Sequence, residues 1–236
     1  MATEPEPPAP AGPATTAPST GAAAPDPFGG RAPTSHEQMT GQPWDASYTD
    51  GPAPWDTGRP QPAVVRLAGA GAFTGPVLDA GCGTGENALH LAARGVAVLG
   101  VDVAETAVAA ARWKAADRGL DAEFRVFDAL RLAPLGRRFA TVLDVGLFHA
   151  FDTAERRAYA ESLSAVTEPG GTVYVLCFSD EGPDTGPHPV GRDELAGTFA
   201  AAGGWRVASV ERDRVQTRFH GEDGAPAWLA TIARTP

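Results

Sequence analysis

Val77-Leu78-Asp79-Ala80-Gly81-Cys82-Gly83-Thr84-Gly85 reads as a buried strand running into a loop with glycine at every second position, and the helical stretch Glu86 to Arg94 follows it. Strand, glycine loop and helix in that order make a cradle for a nucleotide cofactor. The glycines let the backbone turn sharply and leave no side chain between its N–H groups and a ligand. The ligand must come very close.

The flanking residues narrow the ligand. A dinucleotide fingerprint places a small residue where this chain has Glu86, and a triphosphate loop needs Gly-Lys-Ser/Thr where it has Gly85-Glu86-Asn87. Asp79, two residues before the first glycine, would repel a pyrophosphate and attract a cation.

The run VLDAGCGTGENALHLAARG resembles the first motif of the class I S-adenosylmethionine-dependent methyltransferases, and the family's pattern continues over most of the chain from about Trp44 onward. The resemblance implies S-adenosyl-L-methionine as cofactor, whose ammonium and sulfonium suit an acidic cradle. It also implies contacts from Gly81, Cys82 and Gly83 in the loop, and from Asp79 at the methionine end. Asp102 with Val103 would serve the ribose, Asp128 with Ala129 the adenine, and Asp144 opens the motif after the fourth strand. The implied fold is α/β: Rossmann-like and doubly wound, a seven-stranded, mainly parallel sheet with an antiparallel last strand.

The apolar patterning gives the same layout. Strands are expected at Pro76 to Asp79, Val96 to Asp102, Glu123 to Phe127, Ala140 to Val145 and Thr172 to Phe178, alternating with helices Glu86 to Arg94, Ala104 to Arg118, Thr153 to Val166 and Arg192 to Ala202. Two last strands, around Arg206 to Val210 and Trp228 to Arg234, have no helix between them and should form a hairpin. Glu168-Pro169-Gly170-Gly171 is expected to be a turn. Residues 1–40, rich in Pro, Ala, Gly and Thr, are expected to be a disordered tail ahead of a single methyltransferase domain at 41–236.

In a doubly wound sheet ligands bind beyond the carboxyl ends of the strands, which is where Asp79, Asp102, Asp128 and Asp144 fall. Asp102 either accepts the ribose hydroxyls or caps the next helix. Asp128 contacts adenine or shapes a turn. His149, in the stretch that the resemblance places beside the transferred methyl, is the candidate catalytic residue: it takes a proton from the acceptor, hydrogen-bonds it, or is simply packed. Pro54-Trp55-Asp56-Thr57-Gly58-Arg59-Pro60-Gln61-Pro62 resembles a segment of the thiopurine and thiol/halide methyltransferases and of actinobacterial enzymes that methylate small heterocycles. There Trp55 would lie beside the sulfonium as a cation–π partner, or pack as an ordinary aromatic.

A net charge of −10 gives no footprint for nucleic acid. The two cysteines imply no disulfide, no His/Cys/carboxylate spacing asks for a metal, and no apolar run is long enough to span a membrane. A cytoplasmic monomer or homodimer with a small-molecule substrate is expected. The Asp-Pro-Pro-Tyr type signature of amino-group methyltransferases is replaced by Asp144-Val145-Gly146-Leu147, and no Pro-Cys nucleophile motif occurs. The rival readings are a cofactor-binding scaffold without catalysis and a nicotinamide-dependent reductase, the latter opposed by Glu86.

Overall fold

The structure, a computed structural model, describes Met1 and residues 26–182, 188–221 and 223–236. Seven strands form one sheet: β1 (Val77–Ala80), β2 (Val98–Asp102), β3 (Glu123–Val126), β4 (Phe139–Val145), β5 (Thr167–Phe178), β6 (Trp205–Val215) and β7 (Ala225–Arg234). Their order is β3-β2-β1-β4-β5-β7-β6. The pairs from β3 through β5 are parallel, and β7 runs antiparallel to β5 and β6, between which it is inserted. β1 has neighbours on both sides and is buried at every residue, which is why it reads as an unbroken apolar run apart from Asp79.

Helices α1 (Ser35–Thr40), α2 (Pro62–Gly69), α3 (Glu86–Ala92), α4 (Glu105–Asp117), α5 (Thr153–Val166) and α6 (Arg192–Ala202) accompany the sheet. One face carries a core of Leu78, Phe139, Phe148, Tyr159, Leu163 and Phe199. The other carries Val77, Leu89, Val108, Phe124 and Leu143. α5 starts where expected because Asp152 and Glu155 form a reciprocal capping box. No helix among the described residues is long and apolar enough to cross a membrane.

Two features depart from expectation. Glu168 to Gly171 is not a turn ahead of β5 but an irregularity within it: Phe139 pairs with Thr167 and Thr141 with Thr172, so β5 loops out its extra residues while keeping the ladder on either side. The second is the tail. Residues 2–25 lie outside the described residues, but 26–40, expected to be disordered with them, contain α1. Thr34 and Glu37 cap that helix reciprocally, and Glu37 is fully buried. This segment is anchored by polar contacts rather than by large aliphatic side chains, so composition gave no sign of its order.

Candidate active site

The loop after β1 is tied to the end of β2 by two bonds, since the Gly81 and Cys82 N–H groups both donate to the Val101 carbonyl at 2.9 Å. Gly85 has φ +85°, and a Cβ there would sit 2.9 Å from Ala111 Cβ and from the Phe124 ring. Only glycine lets α3 begin so close to α4 and β3. At Gly83 a Cβ would meet the Tyr48 hydroxyl at 3.2 Å, on the side from which a ligand approaches.

Asp102 is half-buried at the end of β2. Its Oδ2 accepts the Gly83 N–H at 2.8 Å and its Oδ1 accepts the Ala104 N–H at 2.9 Å. The cap residue of α4 is Ala104, so the helix-cap alternative does not describe Asp102. The carboxylate braces the glycine loop and also lines the cavity beside Val103. Burial raises its pKa, partly offset by the backbone N–H groups. Asp128 shapes a turn, since Oδ1 accepts the Leu130 N–H at 2.9 Å and holds a one-turn helix at Ala129–Arg131, and the residue also lines the cavity with Ala129.

Asp79 and Asp144 sit deeper. β1 and β4 pair in register with Ala80 beside Asp144, so the two side chains point to opposite faces of the sheet. Neither lines the cavity. Asp144, expected among the cofactor contacts, is fully buried and uses Oδ1 to accept the Leu147 and Phe148 N–H groups at 3.0 and 3.3 Å, fixing the turn that presents His149. Asp79 is buried immediately behind the glycine loop, and neither of its oxygens has a hydrogen-bond partner among the described residues. Burial, and then the charge of Asp144, push its carboxyl up to about 7. Burial likewise pushes Asp144 up to about 7.

His149 is buried at the far end of the cavity. Its Nδ1 accepts the Phe178 N–H at 3.1 Å and its ring stacks on that of Phe178, centroids 4.2 Å apart. Burial, then Arg156 and His188, lower its pKa to about 3, so the imidazole is neutral.

A cover closes the cavity from the N-terminal side. Glu37 accepts both Arg31 guanidinium nitrogens, the Thr34 N–H and hydroxyl, and the Trp44 N–H. Burial works against this carboxylate, but the bonds from Arg31, Thr34 and Trp44 outweigh it and hold its pKa below the usual value. Ser35 donates twice to Glu155 on α5, and Asp45 accepts from Thr106 on α4. Trp55 lies edge-on to Trp44 and Tyr48, donates from Nε1 to the Tyr48 hydroxyl at 2.8 Å, and lines the cavity at 41% exposure. It belongs to the site rather than to the core. Asp56 accepts the Thr84 hydroxyl, fastening the cover to the glycine loop.

Sequence reasoning missed Arg31 and His36 on the cover, and Phe219 and His220 from the β6–β7 connection, all of which line the same cavity. Thr34-Ser35-His36-Glu37, a capping box, was the available signal for the first pair. Nothing local marks the second.

The cavity, about 690 Å³, runs continuously from Asp102 and Asp128, past the glycine loop, to His149 and Phe178. Its acidic end, bare loop and the unpaired carboxylate behind it suit a ligand that joins an adenosine to cationic groups. Fold and site together define an α/β protein that binds a nucleoside-bearing cation. Residues 77–171 match the family described as "Methyltransferase domain". The chain is 38% identical over 176 residues to the 2-heptyl-1-hydroxyquinolin-4(1H)-one methyltransferase of Mycobacteroides abscessus, covering 72% of this chain and 77% of that one. It is 27% identical to the probable thiol methyltransferase 2 of Arabidopsis thaliana, covering 72% and 76%. Among solved structures, one from work on the conversion of a disulfide bond into a thioacetal group during echinomycin biosynthesis is 40% identical. It superposes with a TM-score of 0.71 over 77% of this chain and 84% of that one. The chain belongs to the S-adenosylmethionine-dependent methyltransferases. It is an enzyme that uses this cofactor on a small-molecule nucleophile, and its relatives lend nothing to the non-catalytic alternative.

Proposed function

We propose that this enzyme methylates a hydroxyl or thiol on a compact, flat aromatic or heterocyclic molecule, with Asp102 at the ribose, Asp128 and Ala129 at the adenine and Trp55 over the reacting end. The observation that carries this reading is the continuous cavity, polar beside the glycine loop and walled at the other end by Leu147, Phe151, Phe178 and Phe219. When bound, the cofactor supplies an electrophilic methyl group. The chain's own contribution is to orient the acceptor between aromatic faces and to exclude water under the cover, and positioning of this kind accounts for much of the barrier in a displacement. The quinolone methyltransferase and thiol methyltransferase among the relatives support both acceptor types. Asp79 serves the cofactor's ammonium only if it turns toward the cavity, which its two unpaired oxygens favour. A net charge of −10 supports keeping polyanions out, and the setting proposed is the cytoplasm, as a monomer or homodimer, with the methyltransferase unit extending from the cover to the end of β7.

The test is an acceptor screen with isotopically labelled S-adenosylmethionine over hydroxyquinolines, thiophenols, alkyl thiols, phenazines and iodide, with products identified by mass. Methylated hydroxyquinolines or thiophenols are expected. Cofactor binding without any labelled product across the screen would overturn the reading.

A further inference from the structure

His36, His149 and His220 line the cavity, and the hydrogen bond at His149 decides what that ring can do. A backbone N–H only donates, so the Phe178 N–H at 3.1 Å fixes His149 Nδ1 as an acceptor without a proton. The neutral ring therefore carries its hydrogen on Nε2, and the only hydrogen bond that His149 makes among the described residues is the one at Nδ1, in a residue that lines the cavity. At His220 the partner is Thr217, a hydroxyl that can donate or accept. That buried hydroxyl oxygen accepts the Phe219 N–H at 3.2 Å and lies 2.7 Å from His220 Nδ1. The two imidazoles flank Phe178, His149 stacked at 4.2 Å and His220 edge-on at 6.0 Å.

The His149 Nδ1 lone pair is taken by the Phe178 N–H, so this ring has none free to take a proton from the acceptor. The carboxylates of the cavity each accept bonds from the protein itself: Asp102 from Gly83 and Ala104, Asp128 from Leu130, Asp56 from Thr84 and Gly58, Glu86 from Lys114 and Arg118. We propose that His149 is a hydrogen-bond donor to the nucleophilic atom of an acceptor that binds already ionised. The substrate class is then aromatic hydroxyl, N-hydroxyl or thiol compounds acidic enough to shed their proton in water. The inference rests on the methyl-transfer reading above. A nucleophile that arrives without its proton leaves none to place: its lone pair forms the new bond to carbon, the carbon–sulfur pair stays on sulfur, and the two opposite charges cancel. His149 stays neutral throughout, being held so by burial, Arg156 and His188.

The experiment uses 4-nitrophenol and 4-nitrothiophenol, whose anions absorb apart from the neutral forms. They are mixed with the full-length protein and S-adenosylhomocysteine, which has no methyl to give, in buffer about one unit below each probe's solution pKa. Wild type is expected to bind each probe as its anion. His149→Phe should lower the bound anion-to-neutral ratio by about ten- to a hundredfold, the worth of one hydrogen bond to a charged atom. His149→Gln, which keeps an N–H near the Nε2 position, should restore most of it, and His36→Phe should leave it unchanged. Calorimetric binding of S-adenosylhomocysteine shows whether each variant is folded. Wild type binding either probe neutral, failing to bind both at millimolar concentration, or giving the same spectrum as a folded His149→Phe protein overturns the proposal, as does loss of the anion in His36→Phe alone. The spectrum needs no turnover, so its failure is separate from that of the acceptor screen.

Discussion

Replacing Asp102 by Ala removes the carboxylate that braces the loop and that is proposed to hold the ribose. On the proposed ribose assignment two charge-assisted bonds are at stake, each worth about 1.5 to 3 kcal/mol. Taking the lower figure, loss of one bond weakens cofactor binding about tenfold and loss of both by roughly 150-fold. The side chain also holds the Gly83 and Ala104 N–H groups at 2.8 and 2.9 Å. Leaving them short of a partner costs about 1 to 3 kcal/mol where water cannot replace it. Affinity and thermal stability should therefore fall together. The assay is titration calorimetry with S-adenosylmethionine and S-adenosylhomocysteine, beside a thermal melt of the unliganded protein. Because both ligands carry the ribose, both dissociation constants should rise by the same factor, between about 10 and 150. An unchanged constant in a folded variant would refute the ribose assignment, and an unchanged melting temperature would refute the brace.

Asp79 is pushed up to about 7, above its unfolded value of 3.8, so the stability it contributes is fully present below that lower value and is lost as pH rises through 7. The melting temperature of the unliganded protein should fall from about pH 4 to 7 and level off above it, with Asp144 acting in the same direction, and Asp79→Asn should flatten the curve. If Asp79 meets the cofactor's ammonium, binding near pH 7 releases protons in wild type but not in Asp79→Asn, as calorimetry in buffers of different ionisation heat will show. Gly85→Ala adds a Cβ 2.9 Å from Ala111 and Phe124 at a φ of +85°, which should cost roughly 2 to 5 kcal/mol; a melting temperature within a degree of wild type would contradict the close packing. Glu37→Ala strips the cover of its buried anion, so local opening should become easier by about 3 kcal/mol. Amides between Thr34 and Tyr48 should then exchange roughly a hundredfold faster, whereas equal rates would mean that the cover is held by other contacts.

Much of the fold was legible because its buried strands and amphipathic helices alternate with clear punctuation, and α5 and α6 begin and end at the expected residues. Gly170 and Gly171 carry a strong turn signal that is correct locally, but β4 runs alongside on both sides of it, and pairing of that kind is not written in the neighbouring residues. The places of the glycine loop, Asp102 and Asp128 at the cavity were legible because they follow from position at strand ends. Asp144 occupies an equivalent position in sequence, and only register shows that it faces a core while Asp102 faces the cavity. For His149 the residue could be found but not its tautomer, which depends on an N–H 29 positions away. The cover escaped notice because it is anchored by Glu37, and burial of a charged residue cannot be read from composition. His220 reaches the site solely through the sheet's return.

β6 precedes β7 along the chain, yet β7 occupies the interior lane between it and β5. During synthesis the earlier of the two therefore emerges with no edge to join and must wait for its successor before either can dock. Ribosome-bound intermediates should carry β5 as an open margin, a place where an unrelated strand could attach and start aggregation. His220 lies in the connection between those two strands, so the acceptor end of the pocket takes shape only when this last piece of the sheet has closed, well after the nucleotide half has formed.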